Sequence, residues 1–405
     1  MALFFFLRMP LVFLLSIASL AAKGEDWPNW RGPDRNGISM EKNWQHVWPI
    51  EGPKTLWTAN VGIGFSSVSI ANDRLYTMGN SNDMDSVFCL NAQNGEVIWK
   101  HSYESPLEDR FFEGGPTSTP TVDAQSVYSL SRQGNLFCFD ALSGVILWSK
   151  NVSKEAGVRI PGWGFSSSPL IHLDRLILNV GQSGLALDKR TGEMLWKSSD
   201  NDAGYMTPYP IKIEERWFAL IASGKFYQCV DIQTGEVAWK HRWLTTNGCN
   251  AADPIVEQDR VFISSGYGRG AAVLSFNATS AQVVWANTDM QNQLNSSVLV
   301  DGHIYGFDGD EGGEVQLKCL DISSGAVRWS FPGLGAGSLM VADKHLIILS
   351  EEGELSIAPV SNKLFKQISK AKILQGKCWT VPVLSNGKIV CRNASGDIAC
   401  VDVSP

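Results

Sequence analysis

The sequence predicts an all-β protein: an eight-bladed β-propeller of four-stranded antiparallel blades, its ring closed by an N-terminal strand that completes the C-terminal blade. Three observations predict it. The first is a unit written small-x-Asp-x-x-x-Gly-x-x-x-Trp, clearest in LFCFDALSGVILW as Cys138, Asp140, Gly144 and Trp148. It recurs with the same internal spacing at Cys89/Asn91/Gly95/Trp99, Ala186/Asp188/Gly192/Trp196, Cys229/Asp231/Gly235/Trp239 and Cys319/Asp321/Gly325/Trp329, and in degenerate form at Ser275/Asn277/Ala281/Trp285. The second is a set of eight short strand starts led by small or polar residues: SSVSI, STPTV, SSPLI, TPYPI, ADPIV, SSVLV, SLMVA and TVPVL. The third is period-2 alternation between each start and its tryptophan, as in RLYTM, SVYSL and RVFIS, which is the signature of strands.

Each position in the unit has a physical reason. The Asp or Asn accepts backbone N–H bonds two residues on and nucleates a turn, and the Gly supplies a positive-φ position where the hairpin reverses. The aliphatic pair before Trp belongs to the outer strand, and the indole covers the seam with the next blade. The leading position exchanges Cys with Ala, which selects a small buried side chain rather than a reactive thiol. Two partial copies end the series. ELSIAPVSNKLFKQI places Phe365 where tryptophan is expected, and Cys400-Val401-Asp402 begins a copy that the chain cannot complete. Trp57, in GPKTLWTANV, then supplies the missing outer strand. Trp57 and Phe365 stand 308 residues apart over seven intervals, 44 per repeat, the size of one blade. Trp57, Trp99, Trp148, Trp196, Trp239, Trp285 and Trp329 are thus the structural tryptophans. A blade cannot bury its faces alone, so ring stacking makes the core.

Composition agrees: 15 Trp and 38 Gly in 405 residues suit a turn-rich β protein, and a net charge of −7 with no basic cluster points away from nucleic acid. The opening MALFFFLRMPLVFLLSIASLAA carries one charge, an apolar run and a small-residue end. Residues 1–22 therefore read as a signal peptide, with the chain periplasmic or secreted. No cysteine stands at the cleavage region for lipid attachment, and no later segment could span a membrane. Residues 23–50, with Trp27, Trp30, Trp44 and Trp48, read as a segment that wraps the ring or plugs one face; residues 51–405 form the propeller, a monomer. Of eight cysteines, Cys249, Cys378 and Cys391 lie outside the repeat slot, and a Cys378–Cys391 bridge stays open.

The unit resembles the tryptophan-docking motif of the quinoprotein alcohol dehydrogenase-like propellers, whose repeat is called PQQ-like. That family comprises quinone-dependent dehydrogenases and the non-catalytic outer-membrane assembly factor BamB with its relatives. DWPNWRGPDRNG, GGPTSTPTV, WGFSSSPL, DAGYMTPYP, NAADPIV, SSGYGRGAAVL and GKCWTVPVL resemble exported bacterial PQQ-binding-like propellers. The dehydrogenase members imply pyrroloquinoline quinone and calcium in the axial funnel, and many stack the quinone on adjacent cysteines. This chain has no adjacent Cys pair and is shorter than those enzymes. Its calcium candidates are Asn250, Asp253 and Glu113, oxygen donors that serve as turn or cap residues on the competing reading. The reading therefore leans to a scaffold without catalytic residues or cofactor. Its alternatives are a quinone- and calcium-dependent alcohol or sugar dehydrogenase and a carbohydrate-binding propeller.

The connections locate a binding site. Twenty residues separate Trp99 from Pro120 and Trp148 from Pro169, against 10 to 16 in later connections. Loops on a rigid scaffold commonly carry function. The early loops supply Arg110, Phe111, Phe112, Glu113 and Trp163, and matching positions elsewhere supply Tyr205, Asn250, Asp253, Asn295, Lys377 and Trp379. Aromatic and arginine groups on such a crown suit a protein or peptide partner.

Overall fold

A computed structural model describes residues 25–201 and 203–405. The leader expected at residues 1–22 lies outside them. Eight sheets form the ring. Blades 1 to 6 span 69–104, 121–151, 170–197, 209–242, 255–287 and 298–332, each four antiparallel strands in sequence order. Blade 7 spans 338–372, and the short strand Ile38–Ser39 joins it in parallel, Ile38 opposite Val341. Blade 8 takes Val383–Ser385, Lys388–Arg392 and Asp397–Asp402 from the C-terminus and its outer strand, Thr55–Asn60, from the N-terminus. Cys400 faces Trp57 across that ladder, as the sequence predicts. One short helix, Val152–Ala156, sits in the second long connection, capped by the Asn151 side chain and by Gly157 at φ 68°.

The repeat positions build the seams between blades. Each indole stands opposite the small residue of its own blade and reaches to the next: Trp57 Nε1 donates to Ala92 O, Trp99 to Ala141 O, Trp148 to Lys189 O, Trp196 to Ile232 O and Trp285 to Ile322 O. The turn glycine lies under that indole. At Gly235 (φ 77°) an added Cβ would stand 2.6 Å from Trp196, so both the backbone and the close approach demand glycine.

Two repeats depart from the expected register. Val273, not Ser275, faces Trp285 and fills the small slot, because the blade 5 ladder runs two residues further before its turn. In blade 7 the ladder sets Ser369, not Phe365, opposite Ile357. Phe365 instead packs on Trp329 and Phe331 of blade 6, with ring centroids 5.8 and 4.5 Å away. The slot therefore holds five cysteines with Ala186, Val273 and Ile357, all fully buried. All eight cysteines are free, Cys378 and Cys391 included.

Residues 25–48 plug one end of the ring. Trp27 bridges Ile70 of blade 1, Pro28 O accepts from Val122 N of blade 2, and Arg31 donates to Ser297 O beside blade 6 at 2.6 Å. Glu41 accepts from the backbone of Asn386 and Gly387 in blade 8. Trp27 and Trp44 are buried in the same apolar cluster as Trp57.

Candidate functional site

The polar strand starts form a belt around the axis. Ser67 N donates to Thr119 Oγ1, Thr119 N to Ser168 Oγ, Ser168 N to Thr207 Oγ1, Thr207 N to Asp253 Oδ1 and Asp253 N to Ser296 Oγ, at 2.8–3.1 Å. Ser338 Oγ donates to Thr380 O, and Ser67 Oγ donates to Val381 O. These hydroxyls satisfy backbone groups that the short inner strands leave open. Their recurrence is visible in the sequence, but the partner of each lies one blade away.

The plug meets the turns that join first and second strands, at Asn72 and Asn386. On the opposite face the inter-blade connections enclose a funnel-shaped cavity of about 210 Å³. Phe111, Trp163, Tyr205, Asp253, Asn295 and Trp379, all sequence candidates, line it. Phe65 stacks on Trp379 at 5.1 Å and touches Phe112, while Trp163 joins Phe111 and Tyr205 through ring contacts of 5.8 Å. Two aromatic walls thus face one space. Phe111 is 61% exposed, with Arg110 stacked on it from outside the cavity lining.

Glu113 and Lys377 meet at the rim. Lys377 Nζ lies 2.9 Å from Glu113 and 3.4 Å from Glu311, and 4.1 Å above the Trp379 ring. Burial alone would lower the Lys377 pKa, but the bond to Glu113 and the two carboxylate charges raise it instead. Asn250 is not a wall residue. It is fully buried, donates to Ser223 O and Trp243 O and accepts from Ser265 Oγ, bracing blades 4 and 5.

Sequence reasoning missed the floor and far wall. Trp30 comes from the plug and donates to Asp253 Oδ2. Tyr267, between Gly266 and Gly268, lines the wall with Gln293, Leu294 and Glu311. The structure holds it at φ 59°, a conformation rare for a bulky side chain that the sequence does not reveal.

Burial raises the Asp253 pKa despite the opposing Arg31 charge and the bonds from Trp30 and Thr207. Burial likewise pushes the Cys249 thiol up to about 11, keeping it protonated near neutral pH. No lining residue is a histidine, lysine or arginine. Among the described residues no three His, Cys, Asp or Glu side chains are grouped to hold a metal. Both Asp253 oxygens accept protein N–H groups, and Glu113 and Glu311 share Lys377. Calcium takes six to eight oxygens, and pyrroloquinoline quinone is a tricarboxylate that calls for cations. The residues present do not fit that pair.

Fold and funnel define an eight-bladed propeller of PQQ-like repeats. The chain belongs to the family described as outer membrane protein assembly factor BamB, whose family model matches residues 50–159 and 83–331. Among curated proteins, BamB of Yersinia pestis is 21% identical over 280 residues, covering 66% of this chain and 65% of that protein. BamB of Escherichia coli K12 is 22% identical over 308 residues, 62% of this chain and 75% of that one. A polyvinylalcohol dehydrogenase of Sphingopyxis is 23% identical over 293 residues, 64% of this chain but 39% of the enzyme. The match thus spans less than two thirds of the Yersinia protein and of the dehydrogenase. Among solved structures, BamB of Moraxella catarrhalis superposes with a TM-score of 0.64 at 14% identity, over 87% of this chain and all of that one. A europium-containing methanol dehydrogenase reaches 0.72 at 10% identity, over 93% and 89%. At such identities these structures share the fold alone.

Proposed function

We propose that this chain is an exported, non-catalytic BamB-like scaffold that captures a protein or peptide partner through the funnel-side crown. The observation that carries it is the crown itself, where Arg110 and the exposed Phe111 stand over an aromatic funnel that holds no basic catalytic group. Aromatic and arginine side chains at the centre of a patch are the usual anchors of protein recognition. Export rests on the leader at residues 1–22. No helix among the described residues is long and apolar enough to cross a membrane.

A photo-crosslinking residue at the neighbouring exposed position 109 tests this in the native host. It should trap a discrete partner, and the double variant Arg110→Ser, Phe111→Ser should lose capture of that partner with the melting temperature unchanged. Capture that survives the double variant would refute the crown assignment. The dehydrogenase reading, supported by the likeness to polyvinylalcohol dehydrogenase and to the methanol dehydrogenase fold, requires stoichiometric quinone binding in the presence of calcium. Titration that shows none removes it.

A further inference from the structure

We infer that the funnel receives one basic side chain of the partner, a lysine or arginine presented end-on from a loop. The inference rests on the scaffold reading above and adds the chemistry of its anchor.

Charge points to a cation. The lining holds two carboxylates, Asp253 and Glu311, and no basic residue. Arg31 faces Asp253, and at the rim one cation, Lys377, is shared by two carboxylates, Glu113 and Glu311. Glu113 Oε2 is buried with no hydrogen-bond partner, and so is Thr117 Oγ1 on the cavity wall. Buried oxygens of this kind are ordinarily satisfied.

The aromatic walls point the same way. A π face attracts a cation within about 6 Å of its centroid, more strongly where water is excluded. The chain already uses its rings so: Lys377 Nζ sits 4.1 Å from the Trp379 centroid, Arg110 5.0 Å from that of Phe111, and Arg132 5.0 Å from that of Phe112. Trp163 and Trp30 also line the cavity, and among the described residues no cation lies over either ring.

Shape selects a single side chain. A cavity of 150 Å³ can hold benzene, so about 210 Å³ admits one long side chain and not a folded element. Trp30 and Asp253 close the floor, which rules out a strand threaded through the ring.

The test uses the full-length mature protein and the blocked tripeptide Gly-Arg-Gly, with Gly-citrulline-Gly as the neutral isostere and methyl glucoside as the neutral ring. Tryptophan fluorescence reads binding through Trp30, Trp163 and Trp379. The arginine peptide should bind saturably, at least tenfold tighter than the citrulline peptide, and weaken with added salt. Trp163→Leu should weaken it at least fivefold. Lys377→Met, which removes the internal competitor, should tighten it, an effect that loss of structure would not produce. Equal binding of the citrulline peptide, or binding of the glucoside alone, overturns the inference. If that happens while Arg110→Ser, Phe111→Ser still abolishes partner capture, the scaffold reading stands and only the cation falls.

Discussion

The indole Nε1 of Trp30 donates to Asp253 Oδ2 at 2.5 Å, and this contact joins two functions in one carboxylate. Asp253 Oδ1 accepts from Thr207 in the belt that holds the blades together, while Oδ2 anchors the plug that floors the funnel. Trp30→Phe keeps the ring and removes the donor. A buried acceptor left unpaired costs about 1–3 kcal/mol. Burial already raises the Asp253 pKa, and losing the indole raises it further. The mutant folded state then holds the proton to higher pH than the unfolded chain does, so its deficit is full well above the raised pKa and fades as pH falls towards the unfolded value. Denaturant unfolding at pH 7 and at pH 4 checks this: the loss relative to wild type should be larger at pH 7.

Gln45 N donates to Val403 O at 2.6 Å and thereby stands in for an absent tryptophan. Val403 holds the place in blade 8 that Ala92 or Ala141 holds in its own blade, the carbonyl that a neighbouring indole would bond. Blade 7 offers Ser369 there, whose hydroxyl instead donates to His46 O and accepts from Trp48 N. The strap therefore seals the one seam that has neither indole nor glycine. Gln45→Pro deletes the N–H, and the melting temperature should fall by several degrees, consistent with about 1–3 kcal/mol. A variant as stable as wild type would show that the strap is dispensable.

The fold was legible because a repeat states its own register many times. The unit Cys138, Asp140, Gly144 and Trp148 recurs at equivalent places in successive blades, and the outer strand at Trp57 follows because the series is one tryptophan short at its C-terminal end. Errors fell where the pattern had drifted. Ser275 preserved the spacing but not the pairing, since a ladder two residues longer moves the slot to Val273. At Phe365 an aromatic residue imitated the missing tryptophan, while the strap 320 residues away filled the gap. The crown was legible as unusual loop length, which gave Phe111 and Trp163. Trp30, Tyr267 and Asn250 were not, because facing inward, reaching across the axis or bracing a turn depends on contacts between distant blades.

The turn glycines separate backbone strain from collision. Gly235 and Gly157 share a positive φ, 77° and 68°, but a Cβ on Gly235 would meet Trp196 at 2.6 Å while one on Gly157 meets nothing within 4 Å. Gly157→Ala should cost only the left-handed penalty of about 1–2 kcal/mol. Gly235→Ala adds overpacking of about 1–3 kcal/mol and a displaced indole. Chemical denaturation of the two variants should therefore rank Gly235→Ala the more destabilised, and equal losses would deny the indole any part in the seam.

Arg392 closes the circle at the opposite level of the ring. It is among the most buried side chains, and its guanidinium donates to Ser66 O, Met78 O and Gly62 O and to Thr77 Oγ1 of the first repeat. No ion pair to it occurs among the described residues, so three backbone carbonyls and a hydroxyl carry the whole compensation for burying a charge. That burial lowers its pKa. The contact lies where the two ends of the chain meet, alongside the strand pair of Trp57 and Cys400. Arg392→Ala removes the donor these acceptors share in a dry seam and should cost about 1–3 kcal/mol, the scale for a buried acceptor left unsatisfied. Arg392→Lys restores the charge but not the planar fork and should recover only part of it. Hydrogen exchange locates the effect: amides of Ser69–Ala71 and Lys388–Arg392 should lose protection before those of the strands in blade 4. Uniform loss across all eight blades would mean that the ring unfolds as one unit, with no seam of its own at Arg392.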